Sequence, residues 1–149
     1  MRAVIQRCFD GSVKVANKTV GKIGRGIAVF LCVEKEDTVN DAAYIIEKTI
    51  SMRIFDDKNG KMNLSVKDIN GEILLISEFT LCGDIRKGTR PNFSLSMGFA
   101  DAEKLYDYVT SKLKKLVFSV ETGIFGAMMT VNISNDGPVT ILLNSRKTF

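Results

Sequence analysis

The run Gly26–Val33, GIAVFLCV, carries no polar side chain. A strand with one wet face alternates apolar and polar residues, so a short run that is apolar throughout fits a strand covered on both faces. It is far shorter than the roughly 18 residues of a membrane span. A chain that must bury such a strand needs a sheet with material layered on both sides, and the rest of the sequence is read against that demand.

Upstream, RAVIQRC alternates Ala3, Ile5 and Arg7 with Val4, Gln6 and Cys8, and SVKVANKTVGKI is strand-like with a break at Asn17-Lys18. Thr38 followed by Asp41 forms a capping-box pattern with Asp in place of the usual Glu or Gln. Ala43, Ile46 and Ile50 then recur at helical spacing, which predicts a helix over 39–51. Leu105, Tyr108, Val109, Lys112, Leu113 and Leu116 predict a second over 101–117. Between the helices, GEILLISEFTL reads as a strand and CGDIRKGTRPNFS as a basic, glycine-bearing loop. GAMMTVNIS and GPVTILL read as two last strands joined at Asp136-Gly137, a hairpin signal. Pro138 fits a plain hairpin poorly, because it has no N–H to give the returning strand. The order predicts a mixed α/β fold, one layered sheet with two helices packed on it, in a single domain over 1–149.

Composition narrows the chemistry. The chain has no histidine, which removes Ser-His-Asp and Cys-His catalysis and the usual zinc centres. Any hydrolysis must find its proton carrier elsewhere. Cys8, Cys32 and Cys82 contain no close pair, so neither a disulfide framework nor a CxxC site is legible, and each reads as a small core residue. No segment resembles a signal peptide or a membrane span, so the chain is expected in the cytoplasm. A net charge of +4 permits an anionic partner without demanding one. Arg86, Lys87 and Arg90 fall within one loop and are the candidate phosphate contacts.

In ISEFTL, a regular strand would point Ser77, Phe79 and Leu81 to one face and Glu78 and Thr80 to the other. A hydroxyl beside a carboxylate can activate a nucleophile or orient water, and backbone amides at a strand end can stabilise an oxyanion without any histidine. A solvated edge strand is the competing reading. In MTVNISNDGPVT, a tight turn of purely structural value competes with a stiff backbone edge presented to a ligand. Spacing alone leaves both pairs open, as it leaves open an RNA-binding module without catalysis or an interaction domain.

Four separated stretches, MRAVIQR, SEFTL, KGTRPNF and NDGPVT, resemble in order and spacing the D-aminoacyl-tRNA deacylase family over essentially the whole chain. The signature motifs of that family are Ser-Gln-Phe-Thr and Asn-x-Gly-Pro-Val-Thr, and its members are homodimers with the site at the subunit interface. The resemblance implies hydrolysis of the ester joining a D-amino acid, or glycine, to the 3′ end of tRNA, with no metal or cofactor. It implies a cis Gly137-Pro138 bond inserted into the partner's pocket, where the carbonyls grip the substrate's amino group and leave no room for an L side chain. Asn135 and Met129 complete the expected substrate-binding set. The amides of Phe79 and Thr80 would face the ester carbonyl, Ser77 would support them, and the terminal ribose of the tRNA would help activate water. Glu78 stands where the family has Gln, and a carboxylate there can act as a base that an amide cannot be.

Overall fold

The computed structural model of the chain describes residues 1–148; Phe149, the end of the expected domain, lies outside them. The elements run β1 (Arg2–Val15), β2 (Lys18–Ile23), β3 (Gly26–Cys32), α1 (Val39–Ser51), β4 (Phe55–Asp56), β5 (Met62–Leu64), β6 (Glu72–Ser77), a 3-10 turn (Phe79–Cys82), α2 (Phe99–Leu116), β7 (Ser119–Thr122) and β8 (Thr130–Asn144). The main sheet has the order β2-β1-β3-β6-β7, and β8 also pairs with β1. Strands β3, β6 and β7 are mutually parallel, whereas β1 runs antiparallel to β2, β3 and β8.

The apolar run is β3, with both faces covered as its composition requires. Ile27, Val29 and Leu31 face a core completed by Ile73 and Leu75 of β6, by Ala42, Ile45 and Ile46 of α1, and by Tyr106, Val109 and Leu113 of α2. On the other face of β6, Leu74 and Ile76 meet Cys8, Val13 and Ile23, because β1 and β2 bend across the sheet. Each of these buried aliphatic side chains contributes about 1.5–3 kcal/mol. A charge at Leu75 would break the first of these layers and one at Leu74 the second.

Helix α1 spans the expected residues, and its capping box is made. The Thr38 N–H donates to the Asp41 carboxylate at 2.8 Å and the Asn40 N–H to Thr38 Oγ1 at 3.2 Å. Helix α2 starts two residues before the expected 101, at Phe99, because its N-cap is Gly98, which offers no capping side chain for the sequence to announce. Its buried ridge is Ala102, Tyr106, Val109 and Leu113, while Leu116 is exposed.

Three expectations need correction. The strand expected through Leu81 ends at Ser77. The Glu78 N–H still donates to Leu31 O at 2.8 Å, but β3 stops at Cys32, so the following backbone closes on itself, with Gly83 N–H donating to Thr80 O at 2.9 Å. The two final strands are one strand, β8, and no hairpin turn separates them. Both halves pair with β1, Arg2 opposite Asn144 at one end and Lys14 opposite Thr130 at the other, so neither needs the other as a partner. Finally, Cys32 and Cys82 are joined by a disulfide across 50 residues of sequence, while Cys8 is free and buried. Sequence spacing hides that pairing, since the end of β3 and the 3-10 turn become neighbours only through the parallel β3–β6 ladder.

Candidate active site

A cavity of about 520 Å³ opens where β3 and β6 end. Ser77, Glu78, Phe79 and Thr80 form one wall, Met97, Phe99 and Ala102 another, and Phe125 to Met129 with Val131 a third. Two of these walls meet through aromatic rings: Phe125 meets Phe99 edge-on at 5.1 Å, and it packs at a tilt on Tyr106 at 5.3 Å. Burial pushes the Tyr106 phenol well above its ordinary range, and its hydroxyl donates to Leu75 O at 2.9 Å, so it serves the core and offers the cavity no acid.

The polar wall has a definite geometry. Phe79 and Thr80 open the 3-10 turn, where the first N–H groups have no acceptor within the turn, and no side chain at Glu78 caps them. Thr80 Oγ1 donates to Glu78 Oε1 at 3.0 Å. The hydroxyl and carboxylate that alternation placed on one strand face thus do meet, through a turn rather than a strand. Their meeting leaves the hydroxyl oriented by the carboxylate and the two amides unspent.

Met129 lines this cavity, but Asn135, Gly137 and Pro138 do not. Along β8, Asn135 pairs with Cys8 and Thr140 with Gln6, so the strand takes five steps against two and the residues between bulge outward. The Gly137-Pro138 bond is cis, and both residues are exposed. Gly137 has φ +130°, and a β-carbon there would lie 2.8 Å from Val139 Cγ2 and 2.9 Å from its amide nitrogen, so only glycine fits.

The bulge is anchored by Arg7, which is only 6% exposed. Its Nη1 donates to Ile54 O at 2.6 Å, its Nε to Asp136 O at 3.2 Å and its Nη2 to the Asp136 carboxylate at 3.3 Å. Sequence reasoning left Arg7 without a role. The signal was present, since a charge in register with buried Ala3 and Ile5 must find partners inside.

The three basic loop residues are exposed but not equivalent. Arg86 is engaged with Asp84 through contacts of 2.7 and 2.9 Å, and the hydrogen bond from Arg86 holds the Asp84 carboxyl down at about 2. Lys87 and Arg90 form no ion pair among the described residues and remain available to an anion.

Comparison with known proteins decides the family. The family model described as D-Tyr-tRNA(Tyr) deacylase matches residues 4–144. The chain is 51% identical to a D-aminoacyl-tRNA deacylase of Clostridium perfringens (strain SM101) and 55% identical to one of Thermosipho africanus (strain TCF52B), with 100% of both chains covered in each case. The chain belongs to the D-aminoacyl-tRNA deacylase family. As a member of that family it is a hydrolase. Among solved structures, one titled c-Myc DNA Unwinding Element Binding Protein superposes on this family member with a TM-score of 0.92 at 41% identity, over 97% of this chain and 98% of the other. A probable eukaryotic D-amino acid tRNA deacylase gives a TM-score of 0.81 at 18% identity over 95% and 97%, which speaks for the fold alone. Among the described residues, no helix is long and apolar enough to cross a membrane.

Proposed function

We propose that the protein hydrolyses the ester between a D-amino acid, or glycine, and the 3′ end of tRNA, in the cytoplasm, as a homodimer that rejects L-aminoacyl-tRNA. One observation carries this reading: Gly137 and Pro138, exposed on a bulge of β8, take no part in lining their own chain's cavity. On this reading they close the cavity of a second copy. Their carbonyls grip the ammonium group of the substrate, and the position of an L side chain is filled by backbone. Selection then works by exclusion.

Catalysis on this reading needs no ionisable side chain. The ester carbonyl oxygen lies against the N–H groups of Phe79 and Thr80, which donate hydrogen bonds to it and stabilise its negative charge as water adds to the carbonyl carbon. Ser77 supports the wall, and the terminal ribose of the tRNA helps orient the water. Collapse of the tetrahedral intermediate breaks the bond to the ribose oxygen, which leaves as a hydroxyl with a proton derived from the water. Glu78 orients the Thr80 hydroxyl through the 3.0 Å hydrogen bond, and on this reading Thr80 acts through its backbone amide rather than through that hydroxyl. Lys87 and Arg90, with Arg86, meet phosphates near the 3′ end.

The test is release of D-tyrosine from D-tyrosyl-tRNA with L-tyrosyl-tRNA as control, alongside sedimentation, where a dimer gives about twice the chain mass of 16.5 kDa. Equal rates on the two substrates, or full activity in a monomer, would overturn the reading.

A further inference from the structure

The cavity's polar wall is a four-residue turn tied at its far end, by the Cys32–Cys82 disulfide and by Arg2 Nη1 donating to Leu81 O at 3.4 Å, while neither holds the Phe79 side chain at its start. Its own backbone bonds are Leu81 N–H to Glu78 O at 3.4 Å and Gly83 N–H to Thr80 O at 2.9 Å. The Phe79 side chain is 56% exposed, so burial does not fix it from inside. It is gripped from outside by Phe93, whose ring meets it edge-on at 5.0 Å and 68°.

Phe93 is itself held on both sides. Before it, Asp84 and Asn92 exchange backbone hydrogen bonds of 2.8 and 2.9 Å, closing the hairpin that carries Arg86, Lys87 and Arg90. After it, Ser96 N–H donates to Phe93 O at 2.9 Å, and the chain then pairs with the end of the β3 segment through Lys35 N–H to Leu95 O at 2.8 Å and Met97 N–H to Val33 O at 3.0 Å. The ring also closes over Gly83, where a β-carbon would lie 3.1 Å from Phe93 Cε1. A side chain there would press on the ring and on Thr80 O, 3.0 Å away.

An edge-to-face pair adds only about 0.5–1.5 kcal/mol beyond burial, and Phe93 is 36% exposed, so the contact contributes little to folding. Its value is directional. We propose that Phe93 is a positioning residue for deacylation: it fixes the Phe79 ring, and with it the direction in which the Phe79 and Thr80 amides point, from a hairpin that follows the turn and is anchored on its far side to the residues after β3. This rests on the proposed placement of those amides at the ester carbonyl.

The test is kinetic, with Phe93→Leu, Phe93→Met and Phe93→Tyr compared on D-tyrosyl-tRNA, each well below its melting midpoint and each checked by sedimentation. Because loss of an oxyanion donor costs about a hundred- to a thousandfold, misdirecting two donors without removing them is expected to lower kcat about tenfold in the Leu and Met variants, with KM unchanged. Phe93→Tyr keeps the ring edge and restores kcat. Wild-type kcat in the Leu and Met variants would overturn the inference, as would a rise in KM alone, a loss that Tyr does not rescue, or a loss that tracks melting temperature or dissociation. An inactive wild-type enzyme would instead overturn the function on which the inference rests.

Discussion

Replacing Arg7 by Met keeps the buried stem of the side chain and removes its charge. Three acceptor sites lose their donor: Ile54 O, Asp136 O and the Asp136 carboxylate. A hydrogen bond to a charged group contributes about 1.5–3 kcal/mol, but the Asp136 side chain is 15% exposed and can recruit water, so the sum must be discounted. Loss of about 2–4 kcal/mol is expected, which for a chain of this length lowers the melting midpoint by about 5–15 °C. The functional effect is larger in kind. Asp136 precedes the cis bond, so the freed bulge no longer holds its carbonyls in one direction, and turnover on D-tyrosyl-tRNA is expected to fall by about tenfold or more. Arg7→Lys reaches one acceptor group but not both and is expected to fall between. Differential scanning calorimetry and single-turnover deacylation measure the two effects separately. A midpoint within about 2 °C of wild type would refute the energetic argument, and an unchanged turnover in a destabilised Arg7→Met would refute the anchoring role.

Other perturbations test other parts. Gly137→Ala forces a side chain into φ +130° against Val139, a cost of about 1–3 kcal/mol, so turnover is expected to drop about 5- to 150-fold and the melting midpoint to fall by about 2–12 °C. Glu78→Gln keeps an oxygen for the Thr80 hydroxyl, so turnover is expected to hold and KM to fall as a charge near the polyanion disappears; a loss of turnover together with an ionisation in the pH–rate profile would assign Glu78 as a base. Lys87→Ala and Arg90→Ala are each expected to flatten the log–log salt dependence of tRNA binding by about 0.9, whereas Arg86→Ala, already neutralised by Asp84, flattens it less. Burial raises the Cys8 thiol to about 11, so alkylation of the oxidised native protein at pH 8 is expected to label no cysteine, and after unfolding to label one without reductant and three with it.

How far the sequence could be read depended on where the decisive partner lay. Helix α1 was legible because its start signal is local: Thr38 and Asp41 cap each other three residues apart. Strand β3 was legible because a run with no polar side chain tolerates one environment. The end of β6 was not, since Phe79 and Thr80 are good strand residues and leave the ladder only because β3 offers no further partner. The same holds for β8, where Asp136-Gly137 obeys the local rule for a turn and is overruled by β1 running beside both halves. At the site, Ser77, Glu78, Phe79, Thr80 and Met129 do share one cavity, while Gly137, Pro138 and Asn135 stand outside it. Local spacing cannot report that division, nor the pairing of Cys32 with Cys82, because both depend on residues far apart in the chain.

The outward projection of Gly137 and Pro138 has a genetic consequence. If the bulge of each subunit completes the other's cavity, a damaged bulge harms its neighbour and spares its own chain's cavity. Two defective alleles, one altered in the bulge and one in the turn at Phe79–Cys82, would then complement each other in a cell making both. Random pairing across a two-fold axis leaves about a quarter of all sites intact, built from the sound half of each chain. A bulge allele expressed beside the normal gene would leave about half of all sites intact, no fewer than an allele whose damage stays within its own chain.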